Sequence, residues 1–357
     1  MLHCEIDKTP DVRSSSGGDV YVRRGAQNLK QQTSAEIDRI KLNKGIYSFE
    51  DHILNAEESE ISNSSTIIGF MIEVVPLSEP EVWLRKQKLS QEGKPTVGGF
   101  VLFADEPQTA LPKSTIKIYR YKSSDEVGTR ETLAFDPMSV EGCAYNQIYS
   151  AVDHVKKIIE EIPVAAGGGV EAIEYPTEAI HEIITNSVIH RDYSLNDDIH
   201  VRIFDNRIEV VSPGTLPAHV TAQNILEERF ARNPKIVRII NKFKNPPNKD
   251  VGEGLNTAFE AMLQLKLREP IIEQREASVW VTLRHERLGT PESAIIEFMI
   301  GNAEINNSIA RGICHIGSEN TMKRILQKMV SDGIIERVPG RPLNKTGYVR
   351  GEKFPQR

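Results

Sequence analysis

Ile148, Val152, Val155, Ile159 and Ile162 recur at spacings of four and three. That period puts them on one face of an α-helix covering about 145–162. Gly167-Gly168-Gly169 breaks it, and a second helix starts near Pro176 or Thr177 and runs to about His190, with Ile180, Ile183, Ile184 and Val188 on its buried side. The period then changes to two. Ile199, Val201 and Ile203 alternate, Asp205-Asn206 turns the chain, and Ile208 and Val210 alternate again as the second arm of a hairpin. Helices and strands that each own one apolar face must bury it against another layer, so this run dictates an α/β arrangement.

The flanks read less regularly. Residues 1–7 start as a strand, a Ser/Gly loop follows at Ser14–Gly18, and Asp19–Arg23 forms a short strand. Thr33 or Ser34 caps a helix carrying Ile37 and Ile40. Between 46 and 140 the pattern predicts helices near 62–73 and 79–91, a buried strand over Val97–Phe103, and an alternating strand over Thr115–Arg120. After the hairpin come a helix around 221–230, Arg232-Asn233-Pro234, a Pro246-Pro247 loop, a helix opened by Gly252-Glu253-Gly254-Leu255, and a strand over 277–285. The tail, 291–350, reads as three helices and two short strands, the order of a winged helix-turn-helix. No internal repeat is visible.

Composition excludes several classes. Of 357 residues, 39% are hydrophobic and 26% charged, as in a globular protein, and no run reaches the ~18 apolar residues that span a membrane. The N-terminus lacks the basic start and apolar core of a signal peptide. Cys4, Cys143 and Cys314 are far apart and form no C-x-x-C pair, which argues against a disulfide framework or a zinc site and suits the cytoplasm. Net charge is −6, but residues 290–357 hold ten Lys/Arg and seven Asp/Glu, a net +3 against −9 for the rest. Such asymmetry is a hint of an anionic partner at the C-terminal end.

Glu182 and Asn186 sit four residues apart on the second helix, one above the other, off its apolar face. An asparagine oxygen can ligate Mg²⁺, which takes hard oxygen ligands and completes its shell from water and phosphate. A neighbouring glutamate can orient or deprotonate a water. By spacing alone, a solvated helix face is the commoner explanation of such a pair. Gly252 and Gly254 at a later helix start would let backbone N–H groups approach a phosphate. His190-Arg191-Asp192 is not a kinase catalytic loop, because Asp197 stands where that loop needs asparagine. No G-x-x-x-x-G-K-[ST] phosphate loop occurs, so a P-loop helicase is excluded as well.

These residues resemble the GHKL ATPase superfamily of gyrase, heat-shock chaperone, histidine kinase and MutL. Glu182–Asn186 looks like its N box, Ser212-Pro213-Gly214 its first glycine box, and Gly252-Glu253-Gly254-Leu255 its second. Closer still, Asn186–Tyr193, Ser212–Pro217, Arg232-Asn233-Pro234 and Gly98–Phe103 resemble the Schlafen-AlbA/RecG-like ATP-binding regulators over about 20–350. The resemblance implies a cofactor site for ATP and Mg²⁺, with Glu182 catalytic, Asn186 the metal ligand, and Asn186, His190, Ser212, Gly214, Arg232, Asn233, Gly252, Gly254 and Leu255 around the nucleotide. One departure is that Ser212 stands where the superfamily holds adenine with an aspartate. Tyr21–Gly25 resembles the final strand of an AlbA-like domain whose remainder would lie upstream, so the chain is expected to be N-terminally truncated.

In the tail, Ser318 caps a helix from Glu319 to about Asp332. Met322, Ile325, Leu326 and Met329 face inward, leaving Asn320, Lys323, Arg324 and Lys328 outward. Gly333 ends it, Ile334–Arg337 starts a wing, and Arg341 and Lys345 make the wing tip basic. A recognition helix reads bases while wing cations meet phosphates, so Ser318, Asn320, Lys323, Arg324, Arg341 and Lys345 are the expected DNA contacts. The expected fold is α/β multidomain: an AlbA-like remnant over 1–45, a middle α/β module over 46–144, a divergent GHKL-type α/β sandwich over 145–288, and a C-terminal winged helix-turn-helix over 290–357. The expected function is an ATP-binding, DNA-associated regulatory or defence protein, a homo-oligomeric switch with slow Mg-ATP hydrolysis. The alternative is a non-catalytic DNA-binding or protein-interaction scaffold with a degenerate nucleotide fold.

Overall fold

The computed structural model describes residues 9–24, 27–166, 169–172, 175–247, 254–285, 291–314, 316–338 and 346–355. It is a mixed α/β protein in two compact units: 1–262 with 269–285, and 263–268 with 286–357.

The first unit opens with an antiparallel pair, β1 (Val20–Arg24) and β2 (Gln27–Gln31). Helix α1 (Ser34–Asn43) begins at a reciprocal cap: the Thr33 hydroxyl accepts the Glu36 N–H and the Glu36 carboxylate accepts that of Thr33. Then follow α2 (Ser59–Ser62), α3 (Ser65–Val74), α4 (Pro80–Lys86), and the short pair β3 (Ser90–Gln91) and β4 (Lys94–Pro95).

Val97–Phe103, expected as a strand, is a helix, α5. A short apolar run does not reveal its period when every side is buried, and here all seven residues are. Two local features select the helix. The Thr96 hydroxyl caps it by accepting the Gly99 N–H at 3.1 Å. Gly99 lies flush against the Leu89 carbonyl, 2.2 Å from where a Cβ would stand, so this face admits only glycine.

The main sheet follows, built from β5 (Ile116–Arg120), β6 (Met138–Val140), β9 (Ile199–Ile203), β10 (Arg207–Pro213), β11 (Ile271–Arg275) and β12 (Ser278–Arg284). Its order is β11-β12-β10-β9-β5-β6, antiparallel except for β5 beside β9. Helices α6 (Ala144–Glu160) and α7 (Thr177–Ile189) pack on one another, α6 also against β5 and α7 against β10. Between them β7 (Pro163–Ala166) pairs with β8 (Gly169–Ala172). Ile148, Val155, Ile183, Ile184 and Val188 from the helices meet Ile116, Ile118, Val201, Ile203 and Val210 from the strands in the buried core.

Helices α8 (Pro234–Ile240) and α9 (Gly254–Gln264) sit between β10 and β11 in sequence. The helix expected around 221–230 is absent, and a chain of turns takes its place. Asn224 accounts for this. Its side-chain oxygen accepts the Thr221 N–H at 2.6 Å, and its carbonyl accepts those of Glu227 and Glu228. An asparagine bonded in this way competes with a helix for the same backbone groups.

The second unit contains α10 (Pro291–Gly301), β13 (Ile305–Asn306), α11 (Asn307–Ile313), α12 (Glu319–Ser331), β14 (Ile335–Arg337) and β15 (Gly347–Arg350), its strands ordered β13-β15-β14. Its core joins Ile295, Met299, Met322, Leu326, Met329, Ile335 and Tyr348. Among the described residues no helix is long and apolar enough to cross a membrane.

Candidate active site

Helix α7 meets β10 beneath a cavity of about 380 Å³, inside the ~300–1,000 Å³ range of small-molecule sites. Its floor is apolar, with Val210, Val279, Val281 and Ile272 from the sheet. Three of its polar groups come from one edge of α7. Glu182, Asn186 and His190 lie there at successive steps of four, so Glu182 and His190 are about 12 Å apart along the helix at ~1.5 Å per residue.

At one end the Asn186 amide donates to Glu182 Oε1 at 2.7 Å. Asn186 lines the cavity and uses its amide nitrogen in this bond rather than its side-chain oxygen, an atom of the kind that ligates hard cations. Burial raises the Glu182 pKa above the ordinary carboxylate value, and the Asn186 bond partly opposes that rise. Gly254, the first residue of α9, closes on the same carboxylate. A Cβ at Gly254 would stand 2.1 Å from Oε1, so glycine alone lets the helix start approach this near. Leu255 lines the cavity beside it.

At the other end are Ser187, Ser212 and His190. Ser212 donates its hydroxyl proton to the Ser187 carbonyl at 2.9 Å, which anchors β10 to α7 and leaves the Ser212 oxygen as an acceptor. His190 ends α7, and burial with the nearby charge of Arg232 pushes its pKa down to about 4, so the ring is neutral at pH 7. Its Nδ1 has no partner among the described residues. Gly214 also lines this end, at φ +120°, and packs against Asp192, whose Cβ lies 2.9 Å from where one would stand on the glycine.

Asp192, 2% exposed, holds this wall together. Its carboxylate accepts Arg39 Nη2 from α1 at 2.7 Å, Arg232 Nη1 at 3.3 Å and the Ser194 N–H at 3.0 Å. Arg232 also donates to the Thr215 carbonyl at 2.6 Å. Asn233 donates to the Ile189 and Arg191 carbonyls at 3.0 and 2.9 Å, capping the end of α7. Arg232 and Asn233 therefore brace the cavity from behind rather than line it. A buried Asp–Arg pair of this kind is satisfied only as a set.

Of the residues singled out in the sequence, Glu182, Asn186, His190, Ser212, Gly214, Gly254 and Leu255 share one cavity. Gly252, Arg341 and Lys345 lie outside the described residues. In the second unit Ser318 caps α12 by accepting the Thr321 N–H, and Asn320, Lys323 and Arg324 are exposed. Sequence reasoning missed Thr215, Glu228 and Arg229, which also line the cavity. Thr215 lies within the Ser212–Pro217 run but was not singled out from it; Glu228 and Arg229 sit in a loop with no period or motif, and only their nearness to Arg232-Asn233-Pro234 pointed towards them. Among the described residues no group of three or more His, Cys, Asp or Glu is placed to hold a metal, so a cation here would rely on Asn186 and on ligands from water and substrate.

Residues 196–283, from just before β9 into β12, match the family model described as "Putative ATP-dependent DNA helicase recG C-terminal". The segment resembles an ATPase-type domain. It includes Ser212, Gly214 and Gly254, whereas Glu182 and Asn186 precede it. No curated protein matches the chain. Among solved structures, the crystal structure of the DIP2311 protein from Corynebacterium diphtheriae is similar over 94% of this chain and 70% of that one, with 18% identity and a TM-score of 0.53. At that identity the likeness is one of fold.

Proposed function

We propose that the first unit binds ATP with Mg²⁺ as a GHKL-type α/β sandwich of the Schlafen-AlbA/RecG-like kind, and that the second unit is a winged helix through which the protein acts on DNA as a regulator or in defence. The observation that carries the nucleotide reading is the Glu182–Asn186 bond, set on a cavity wall against a glycine-opened helix. An acid beside an amide needs no such close glycine if it merely faces solvent.

The cavity's groups fit the nucleotide. The apolar sheet floor suits a base, the His190 nitrogen and Ser212 oxygen offer polar contacts at one end, and Asn186 Oδ1 offers a cation ligand at the other. Mg-ATP, when bound, would supply a divalent cation and a phosphoanhydride bond open to attack by water. Glu182 holds and accepts the proton of that water, a task for which its raised pKa suits it. Asn186 keeps the carboxylate on one rotamer through its amide.

In the second unit, α12 turns Asn320, Lys323 and Arg324 outward behind the Ser318 cap, as a helix that reads base edges would. Pairing of two such units would set half-site spacing, so we infer a homo-oligomer.

One observation favours the alternative of a scaffold without turnover: Ser212 brings no carboxylate to the base end, and its proton is already given to Ser187. Titration of the purified protein with labelled ATP, with and without Mg²⁺, separates the two. Saturable binding tightened by Mg²⁺ supports the ATP reading; no binding at millimolar ATP leaves the scaffold.

A further inference from the structure

Arg229 is exposed, lines the cavity, and makes no hydrogen bond or ion pair with any described residue. The other arginines nearby are all engaged. Arg39 is held by Asp192 and Ser194, Arg232 by Asp192 and Thr215, and Arg191 by the Asp197 carbonyl at 2.6 Å. Arg229 is also the one arginine or lysine among the described lining residues, which include the carboxylates of Glu182 and Glu228.

The loop that carries it is fixed on both sides. Before it, Asn224 ties the turn, and Glu228 Oε2 is bonded to His219 Nε2 at 2.8 Å, so its carboxylate is directed to His219. After it, the Phe230 ring fills the space over Gly45. A Cβ at Gly45 would lie 2.0 Å from that ring, and its φ of +70° also favours glycine. The backbone of Arg229 is thus held at the cavity rim while its guanidinium stays unpaired. A planar fork of donors kept in this way matches phosphate oxygens, which it can bind two at a time. A cavity with two carboxylates would otherwise repel a polyanion.

We propose that Arg229 binds the polyphosphate of the nucleotide and sets the preference of the site for charged over uncharged nucleosides. This rests on the nucleotide reading of the cavity. Arg229 lines the cavity but bonds neither the Asp192 joint nor the Glu182–Asn186 pair, so its replacement should leave both in place.

The test is calorimetric titration of the full chain with ATP, ADP and adenosine in Mg²⁺, for wild type, Arg229→Ala and Arg229→Lys, with melting curves as a check on folding. Removing a charged hydrogen-bond partner is expected to weaken ATP about 10- to 100-fold and adenosine less than about twofold, with ADP between them. Arg229→Lys keeps the charge without the fork, so its loss for ATP should be intermediate. Equal losses for ATP and adenosine, or an unchanged ATP affinity, would overturn the assignment while leaving the nucleotide site standing. If wild type binds neither ATP nor adenosine, the nucleotide reading fails and this assignment fails with it. Should Arg229→Ala melt early, Arg229→Lys alone decides, through its ratio of ATP to adenosine affinity.

Discussion

Asn186 donates its amide to Glu182 Oε1 across one turn of α7, at 2.7 Å, which leaves the Asn186 oxygen out of that bond; the roles proposed are a base for Glu182 and a cation ligand for Asn186. The two roles separate in variants. Glu182→Gln should bind Mg-ATP within a few-fold of wild type and lose ~100-fold or more of its turnover, the usual loss on removing a general base. Asn186→Ala should instead weaken Mg-ATP far more than metal-free ATP. Equal hydrolysis rates in wild type and Glu182→Gln would take Glu182 out of the chemistry.

Gly254→Ala puts a methyl where the Glu182 carboxylate now stands, 2.1 Å from Oε1. That carboxylate is the end of a flexible side chain, so the fold should survive while the acid swings away and its bond to Asn186 breaks. Turnover should fall about as far as in Glu182→Gln, with little change in melting temperature. Hydrolysis at the wild-type rate would show that the contact is dispensable.

Much of this arrangement was legible in the sequence because it rests on long periodic elements. The 3.6-residue period of α6 and α7 and the two-residue period of β9 and β10 were plain, and the step of four from Glu182 to Asn186 followed from the helix, whereas His190 came only from the resemblance. The errors fell where period carries no information. Val97–Phe103 is buried on every side, so strand and helix looked alike. The turns around Asn224 are set by one side chain competing for backbone donors. The exposed edge strand β11 went unseen because its charged Glu273 and Arg275 hide the alternation. At the site, resemblance brought Arg232 and Asn233 forward beside the lining residues. Only packing shows that they brace the wall and that Arg229 faces the cavity.

Asp192 is the joint between α1, the Arg232 loop and Gly214. Asp192→Ala would strand the 5%-exposed Arg232 without its carboxylate. Breaking a buried pair from one side costs about 3–5 kcal/mol, so a denaturant melt should show a loss of that order. Arg39→Ala removes a partly exposed partner and should cost clearly less. Equal losses in the two variants would mean that Asp192 matters mainly through Arg39.

If the second unit reads DNA, Lys323→Ala and Arg324→Ala on the exposed face of α12 should change sequence preference. Arg341→Ala and Lys345→Ala should weaken all duplexes alike and reduce the salt slope by ~1 each, as expected for phosphate contacts. Binding curves across a salt series for two unrelated duplexes check both. Undiminished duplex binding after deletion of 290–357 would move the DNA site elsewhere.

Glu50 offers the clearest pH dependence. Its carboxylate is fully buried and accepts the N–H groups of Lys235 and Ile236, each at 2.8 Å, at the start of α8. Burial outweighs those bonds and raises its pKa to about 7, from an ordinary value of 4.5. The folded protein therefore holds this proton more tightly than the unfolded chain does. Between those two pH values the unfolded state carries fewer protons, so this group's contribution to stability is greatest below the ordinary value, falls as pH rises towards 7, and levels off above it. Glu50→Gln stays neutral throughout, so its deficit relative to wild type should be larger at acid than at neutral or alkaline pH. Glu50→Ala leaves two N–H donors without an acceptor and should cost about 2–6 kcal/mol, from ~1–3 kcal/mol for each unsatisfied buried group, with a deficit that, like that of Glu50→Gln, is larger at acid pH. Denaturant melts of wild type and Glu50→Gln through this pH range test the assignment, because parallel stability curves would mean that Glu50 does not titrate in this window.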